Sequence, residues 1–110
     1  MKLHLMNSAM MPQEGTYTQK IVLKGEFKRE FLKFVNFGFE SYIGYPETAR
    51  ILSEFLGQPV PVSRKETKLA DGDIILVARL EYRLQNPHEK AENRSKTIDD
   101  FIFSIVYYRK

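Results

Sequence analysis

The stretch from Ile74 to Leu84 is the most strand-like in the chain, and it does most to limit what the chain can fold into. It follows the turn signal Ala70-Asp71-Gly72-Asp73 and is dense in β-branched and aliphatic side chains, which favour a pleated backbone. A sheet is therefore the frame, and the other segments are read as its neighbours. Leu3-His4-Leu5-Met6 has the pattern of a short first strand that stops at Asn7-Ser8. Met10 to Thr16, with Pro12 and Gly15, reads as a connecting loop. Tyr17 to Leu23 alternates Tyr17, Gln19, Ile21 and Leu23 with Thr18, Lys20 and Val22, a strand that Gly25 ends.

Two segments carry helical spacing instead. Phe27, Phe31, Leu32 and Val35 fall on one face, Lys28, Arg29, Glu30 and Lys33 on the other, and Asn36 and Gly38 close the helix. Phe39 to Ile43 is a short aromatic strand that runs into Gly44. Pro46 then suits the first turn of a second helix, with Glu47 favourable to its dipole. Ala49, Leu52, Phe55 and Leu56 form its apolar face, with Ile51 on the flank, and Gly57 is its stop. Val60 to Leu69 is expected to be extended, and Phe101 to Tyr108 to form a last strand. Gln85 to Thr97 is polar, contains Pro87, and reads as a mobile loop or short helix. The order implies an α/β fold, a single mixed sheet with about two helices packed on it, in one domain over residues 1–110.

Composition narrows the chemistry. The 110 residues hold no cysteine, which excludes disulfides, thiolate-zinc and iron–sulfur sites and a cysteine nucleophile. His4 and His88 are the only imidazoles, too few for a three-histidine zinc site, and no cofactor is expected. Eight Phe and six Tyr supply large side chains for a core. Net charge is +3, spread as +1 over residues 1–55 and +2 over 56–110, so there is no basic tail. That balance permits a phosphate-bearing partner without demanding one. No apolar run approaches the roughly eighteen residues of a membrane span, and MKLHLMNSAMMPQEG lacks the marks of a signal peptide. The expected address is the cytoplasm, that of the host if the chain is viral.

Candidate sites are few. In Gly44-Tyr45-Pro46-Glu47-Thr48-Ala49 a strand passes through glycine straight into a helix N-terminus, a geometry that aims backbone N–H groups and the positive dipole end at one spot. The same residues also fit a plain tight turn. Arg64 and Arg83 have the fixed fork that suits phosphate oxygens, or are simply solvated. Asn7-Ser8 ends a strand whose tip, in a mixed sheet, lies near Gly44. His4 sits on one face of a strand, and His88 lies in the polar loop near Arg83. The carboxylates show no metal-binding or paired-acid spacing. These observations reach an α/β domain with a candidate phosphate site and go no further.

The run Ser41-Tyr42-Ile43-Gly44-Tyr45-Pro46-Glu47-Thr48-Ala49-Arg50-Ile51-Leu52-Ser53-Glu54-Phe55-Leu56-Gly57 resembles the archaeal-virus and prophage family that includes the type III anti-CRISPR ring nucleases. Pro59-Val60-Pro61-Val62-Ser63-Arg64, Asp71-Gly72-Asp73-Ile74-Ile75-Leu76 and Arg83-Leu84 continue the resemblance in order, and Leu5-Met6-Asn7-Ser8-Ala9 fits its start. It covers roughly residues 3–86. The resemblance implies a two-fold dimer around the sheet that binds cyclic tetra-adenylate at the dimer interface and cleaves it without metal. In that family a ribose 2′-hydroxyl attacks its own phosphate, a histidine protonates the leaving oxygen, and a glutamate orients the histidine. Here Tyr45 stands at the histidine position and Asn86 at the glutamate position. Arg64 and Arg83 match the phosphate-contacting arginines. Asn7, Ser8 and Met10 match the ligand-lining loop, Met10 standing where some members have serine. The chain is thus expected to bind a cyclic oligoadenylate or related cyclic nucleotide, sequestering it or cleaving it slowly. Two alternatives are a nucleic-acid-binding viral or prophage regulator and a protein-interaction module.

Overall fold

A computed structural model describes residues 2–8, 14–65, 68–81 and 97–110. Its elements run β1 (Leu3–Met6), β2 (Thr16–Val22), α1 (Lys24–Phe34), a 3-10 turn (Val35–Phe37), β3 (Phe39–Tyr42), α2 (Pro46–Leu56), β4 (Ile74–Leu80), a second 3-10 turn (Ile98–Asp100) and β5 (Phe101–Arg109). The five strands form one sheet in the order β2-β5-β4-β1-β3. β1 pairs in parallel with both β3 and β4, and β5 pairs antiparallel with β4 and β2. The expected single mixed sheet with two helices is the observed architecture.

Alternation along the strands sorts the side chains onto two faces. Leu3 and Leu5, Ile74, Leu76 and Ala78, and Phe101, Phe103 and Ile105 point to one face, where Phe27 and Phe31 of α1 and Ala49, Leu52 and Leu56 of α2 meet them. Both helices therefore lie on that side. Met6, Tyr42, Ile75, Val77, Val106 and Tyr108 form a second cluster on the other face, joined by Tyr17 and Leu69. β4 is buried on both faces, which explains why Ile74 to Ala78 is apolar without a break. Burial of Phe27 and Phe31 stabilises the fold by about 1.5–3 kcal/mol each.

Local rules account for most element ends. Pro46 opens α2 with its fixed φ, and Gly57 closes it at φ 71°, its N–H donating to the Ser53 carbonyl. α1 starts at Lys24, earlier than the apolar spacing suggests, so Gly25 lies inside its first turn and does not end a strand. Among its described residues the segment after α2 makes one bridge, Ile43 to Val62, and no strand; Ser41 Oγ–H donating to the Pro61 carbonyl and Ser63 N–H to the Ile43 carbonyl hold it beside β3. β4 ends at Leu80 within the described residues, and most of the polar loop expected over 85–97 lies outside them. Among the described residues no helix is long and apolar enough to cross a membrane.

Candidate functional site

The three parallel strands end on one side of the sheet. Met6 stands opposite Tyr42 on β3 and Val77 on β4, so Asn7-Ser8 and Ile43-Gly44-Tyr45 leave β1 and β3 on the side where β4 ends with Arg79-Leu80. The carboxyl ends of parallel strands are where α/β sheets characteristically hold ligands. A cleft of about 340 Å³ opens there. Asn7, Ser8, Tyr45, Thr48 and Arg79 supply its polar wall, and Leu80 and Phe101 its apolar wall.

Tyr45 is the N-cap residue of α2, with extended backbone (φ −114°, ψ 124°), the conformation that a following proline enforces. Its carbonyl accepts the Ala49 N–H at 3.0 Å, yet its side chain is 60% exposed. One turn on, Thr48 is 4% exposed, and its hydroxyl has no hydrogen-bond partner among the described residues. A buried hydroxyl left unpaired costs about 1–3 kcal/mol, so a group that it can bond is wanted in the cleft. Arg79 is exposed and makes no ion pair among the described residues. Its charge, with the positive end of α2, faces a small space that a polar anion fits; Glu47 in the same first turn opposes it.

Arg64 stands beside this cleft. Its Nε–H donates to the Gly44 carbonyl at 3.2 Å, and its guanidinium carbon lies 5.8 Å from the centre of the Tyr45 ring. Gly44 makes that approach feasible: a Cβ there would sit 3.3 Å from Arg64 Cγ and 3.4 Å from Nε. Of the residues expected at the site, Asn7, Ser8 and Tyr45 line one cleft, while Gly44 and Arg64 flank it. Met10, Arg83, Asn86 and His88 lie outside the described residues. Thr48 and Arg79 are additions that sequence reasoning did not single out. Their signals were present: Thr48 falls in the first turn after Gly44-Tyr45-Pro46, and Arg79 interrupts an otherwise apolar strand near its end.

His4 has a different place. It is fully buried on the face opposite the helices, where its Nε2–H donates to Asp73 Oδ2 at 2.8 Å. The Tyr42 hydroxyl donates to His4 Nδ1 at 3.2 Å, a tautomer fixed by Asp73 being an acceptor. Asp73 also accepts the Lys2 and Ala70 N–H groups, each at 2.9 Å. Burial lowers the pKa of His4 despite the opposing pull of Asp73. For Asp73 burial acts upward, but its hydrogen bonds from Ala70, His4 and Lys2 outweigh it and lower the pKa. A neutral imidazole bonded to an ionised carboxylate ties the start of β1 to the turn before β4.

A larger groove, about 800 Å³, runs between Ile21–Glu26 and Ile98–Phe103. It contains none of the expected site residues, and its charged groups are largely satisfied: Lys24 pairs with Asp99 at 2.6 Å and Glu26 with Lys20 at 2.8 Å. Size alone does not make it the functional site.

Among solved structures, B116 of Sulfolobus turreted icosahedral virus (STIV) is similar to this chain with a TM-score of 0.73, over 96% of this chain and 98% of that one. At 19% identity the likeness speaks for the fold. No curated protein sequence matches the chain. The family model described as STIV B116-like matches residues 3–103, so the chain belongs to the STIV B116-like family, whose namesake is a viral protein.

Proposed function

We propose that the cleft at the carboxyl ends of β1, β3 and β4 binds a cyclic oligoadenylate or a related cyclic nucleotide, with two copies of the chain forming a two-fold dimer around it. The observation that carries this reading is the meeting of Arg79 and the buried Thr48 hydroxyl, unpartnered among the described residues, with Asn7, Ser8 and Tyr45 in one small cleft. A phosphodiester offers a charge for the guanidinium and acceptor oxygens for the hydroxyl and the amide. At about 340 Å³ the cleft is at the small end of the roughly 300–1,000 Å³ of ligand pockets, room for one portion of a larger molecule. A ring with repeating nucleotides suits two such clefts related by a two-fold axis, since each repeat then meets the same groups.

Binding outlasts cleavage in this reading. Attack by a ribose 2′-oxygen on its phosphorus leaves a departing oxygen that needs a proton. A tyrosine of reference pKa about 10 donates less readily than an imidazole near neutrality, and loss of a positioned general acid costs about 10²–10⁴-fold in rate. Asn86 keeps hydrogen-bonding capacity where the ring nucleases carry glutamate, but no charge. The protein then acts mainly as a sequestering agent in antiviral signalling. The test is metal-free incubation with cyclic tetra-adenylate, binding followed by calorimetry and cleavage by chromatography. Binding with little or no cleavage is expected; failure to bind rings of any size overturns the reading.

A further inference from the structure

We propose that Tyr45 and Arg64 form a stacking platform for a nucleobase, so that position 45 serves this chain as a base-binding rather than a proton-donating group. The inference rests on the cleft being a nucleotide site and adds how the base is held.

Three features of the pair favour it. The ring is placed by a stiff backbone: Pro46 restricts the residue before it, and the Ala49 N–H binds the Tyr45 carbonyl. The arginine is equally constrained, because its Nε–H is committed to the Gly44 carbonyl and its stem lies over a residue without a side chain. Its guanidinium stands 5.8 Å from the ring centre, within the range of a cation–π contact. Yet 60% of Tyr45 remains exposed at the mouth of the cleft, and its hydroxyl has no hydrogen-bond partner among the described residues.

Exposed aromatic rings backed by arginine are what proteins offer to unpaired bases, because every base has a π-face. A phosphate held by Arg79 and Thr48 leaves the attached base to project toward the cleft mouth, where the Tyr45 ring waits. The pre-set backbone lowers the entropy lost on stacking. The hydroxyl contributes little to such a contact, whereas the ring contributes most of it.

The experiment uses cyclic tetra-adenylate carrying one 2-aminopurine, whose fluorescence is quenched by stacking; the chain has no tryptophan to interfere. The full-length wild type, Tyr45→Phe and Tyr45→Ala are titrated, and unlabelled ring is followed by calorimetry. Wild type and Tyr45→Phe should bind alike and quench the probe. Tyr45→Ala should bind roughly 5- to 150-fold more weakly, without the added quenching. Should Tyr45→Ala unfold, Tyr45→Leu, apolar but flat-faceless, takes its place with the same expectation. If the alanine or leucine variant binds and quenches like wild type, the platform is wrong while the cleft remains a nucleotide site. If the wild type binds no ring of any size, both fall together.

Discussion

His4 Nε2 lies 2.8 Å from Asp73 Oδ2, with the two side chains only 1% and 3% exposed. Between them they set how the fold responds to acid. The unfolded chain takes up a proton at His4 near the ordinary value of 6.5, whereas the folded chain, with that pKa lowered by burial, does not. Stability is therefore full above that pH and declines as pH falls below it. Asp73 adds a second step: its contribution is held above the ordinary 3.8 and is lost as pH falls through its still lower folded value. Urea midpoints measured from about pH 8 down to about pH 3 should fall in two stages, and His4→Asn should remove the first. A midpoint that stays level from pH 8 to pH 5 contradicts this account.

Thr48→Val removes a buried hydroxyl that has no partner among the described residues while keeping the side chain's shape. Stability should hold or rise by up to about 1 kcal/mol, since no bond is lost and an unpaired polar atom is removed. Affinity for a cyclic nucleotide should fall several-fold. The two readouts moving in opposite directions, by thermal melting and calorimetry, would separate a ligand contact from a packing role.

Gly44→Ala places a methyl 3.3 Å from Arg64 Cγ. The contact is with the stem of an exposed side chain, which can shift by a few tenths of an ångström, so the stability cost should stay near or below about 1 kcal/mol. Arg64 would then lose its seat over Tyr45. Nucleotide affinity should drop with little change in melting temperature, and Arg64→Ala should produce much the same loss. If Gly44→Ala binds as wild type does, the seat is not needed.

Arg79→Gln takes an exposed cation, with no ion pair among the described residues, out of the cleft and should change stability by no more than about 0.5 kcal/mol. Ring-nucleotide binding should weaken and become less sensitive to salt, because an exposed charge interaction is screened over roughly 10 Å at 0.1 M. Titrations at two salt concentrations measure this. Retention of linear nucleic acid alone, with no ring binding, would favour the regulator alternative instead.

The double substitution Tyr45→His with Asn86→Glu places the ring nucleases' residue types at both positions. Metal-free cleavage of cyclic tetra-adenylate should stay near the wild-type rate, because residue 45 faces a base and not the leaving oxygen. A rise of about 10²–10⁴-fold, the range a positioned general acid supplies, would mean that residue 45 is aimed at the leaving oxygen and not at a base.

Much of this architecture could be read along the chain because it is written in short-range signals. Pro46 and Gly57 bracket α2, and the patterns of Leu3–Met6 and Ile74–Leu80 identify β1 and β4. α1 was harder at its start: Lys24 to Glu26 show no apolar spacing, and glycine is tolerated in a first turn that the packing of Phe27 and Phe31 secures. The reading of Val60 to Leu69 as extended gives no sign of its partner: its described residues meet β3's end through the Ile43–Val62 bridge, the Ser41 hydroxyl on the Pro61 carbonyl and the Ser63 N–H on the Ile43 carbonyl. What the chain hides are the meetings set by register. Asp73 reads locally as a turn residue and His4 as a lone face residue, although they are partners 69 positions apart. Thr48 and Arg79 likewise come to line one cleft only in the folded chain. Tyr45 could be singled out from its place after Gly44, but its stacking arginine lies nineteen residues further on.

The place of β1 in the sheet also bears on how the protein is made. This four-residue strand pairs in parallel with β3 and β4, joining Leu3 to Phe39 and to Ile74. Synthesised before either partner, it has to wait for one neighbour 36 residues downstream and another 71 residues downstream. Both contacts demand long loop closures before they return any stabilisation, a topology associated with slow folding. Among the described strands β1 thus gains its second partner late, and the carboxyl-end cleft assembles only with it.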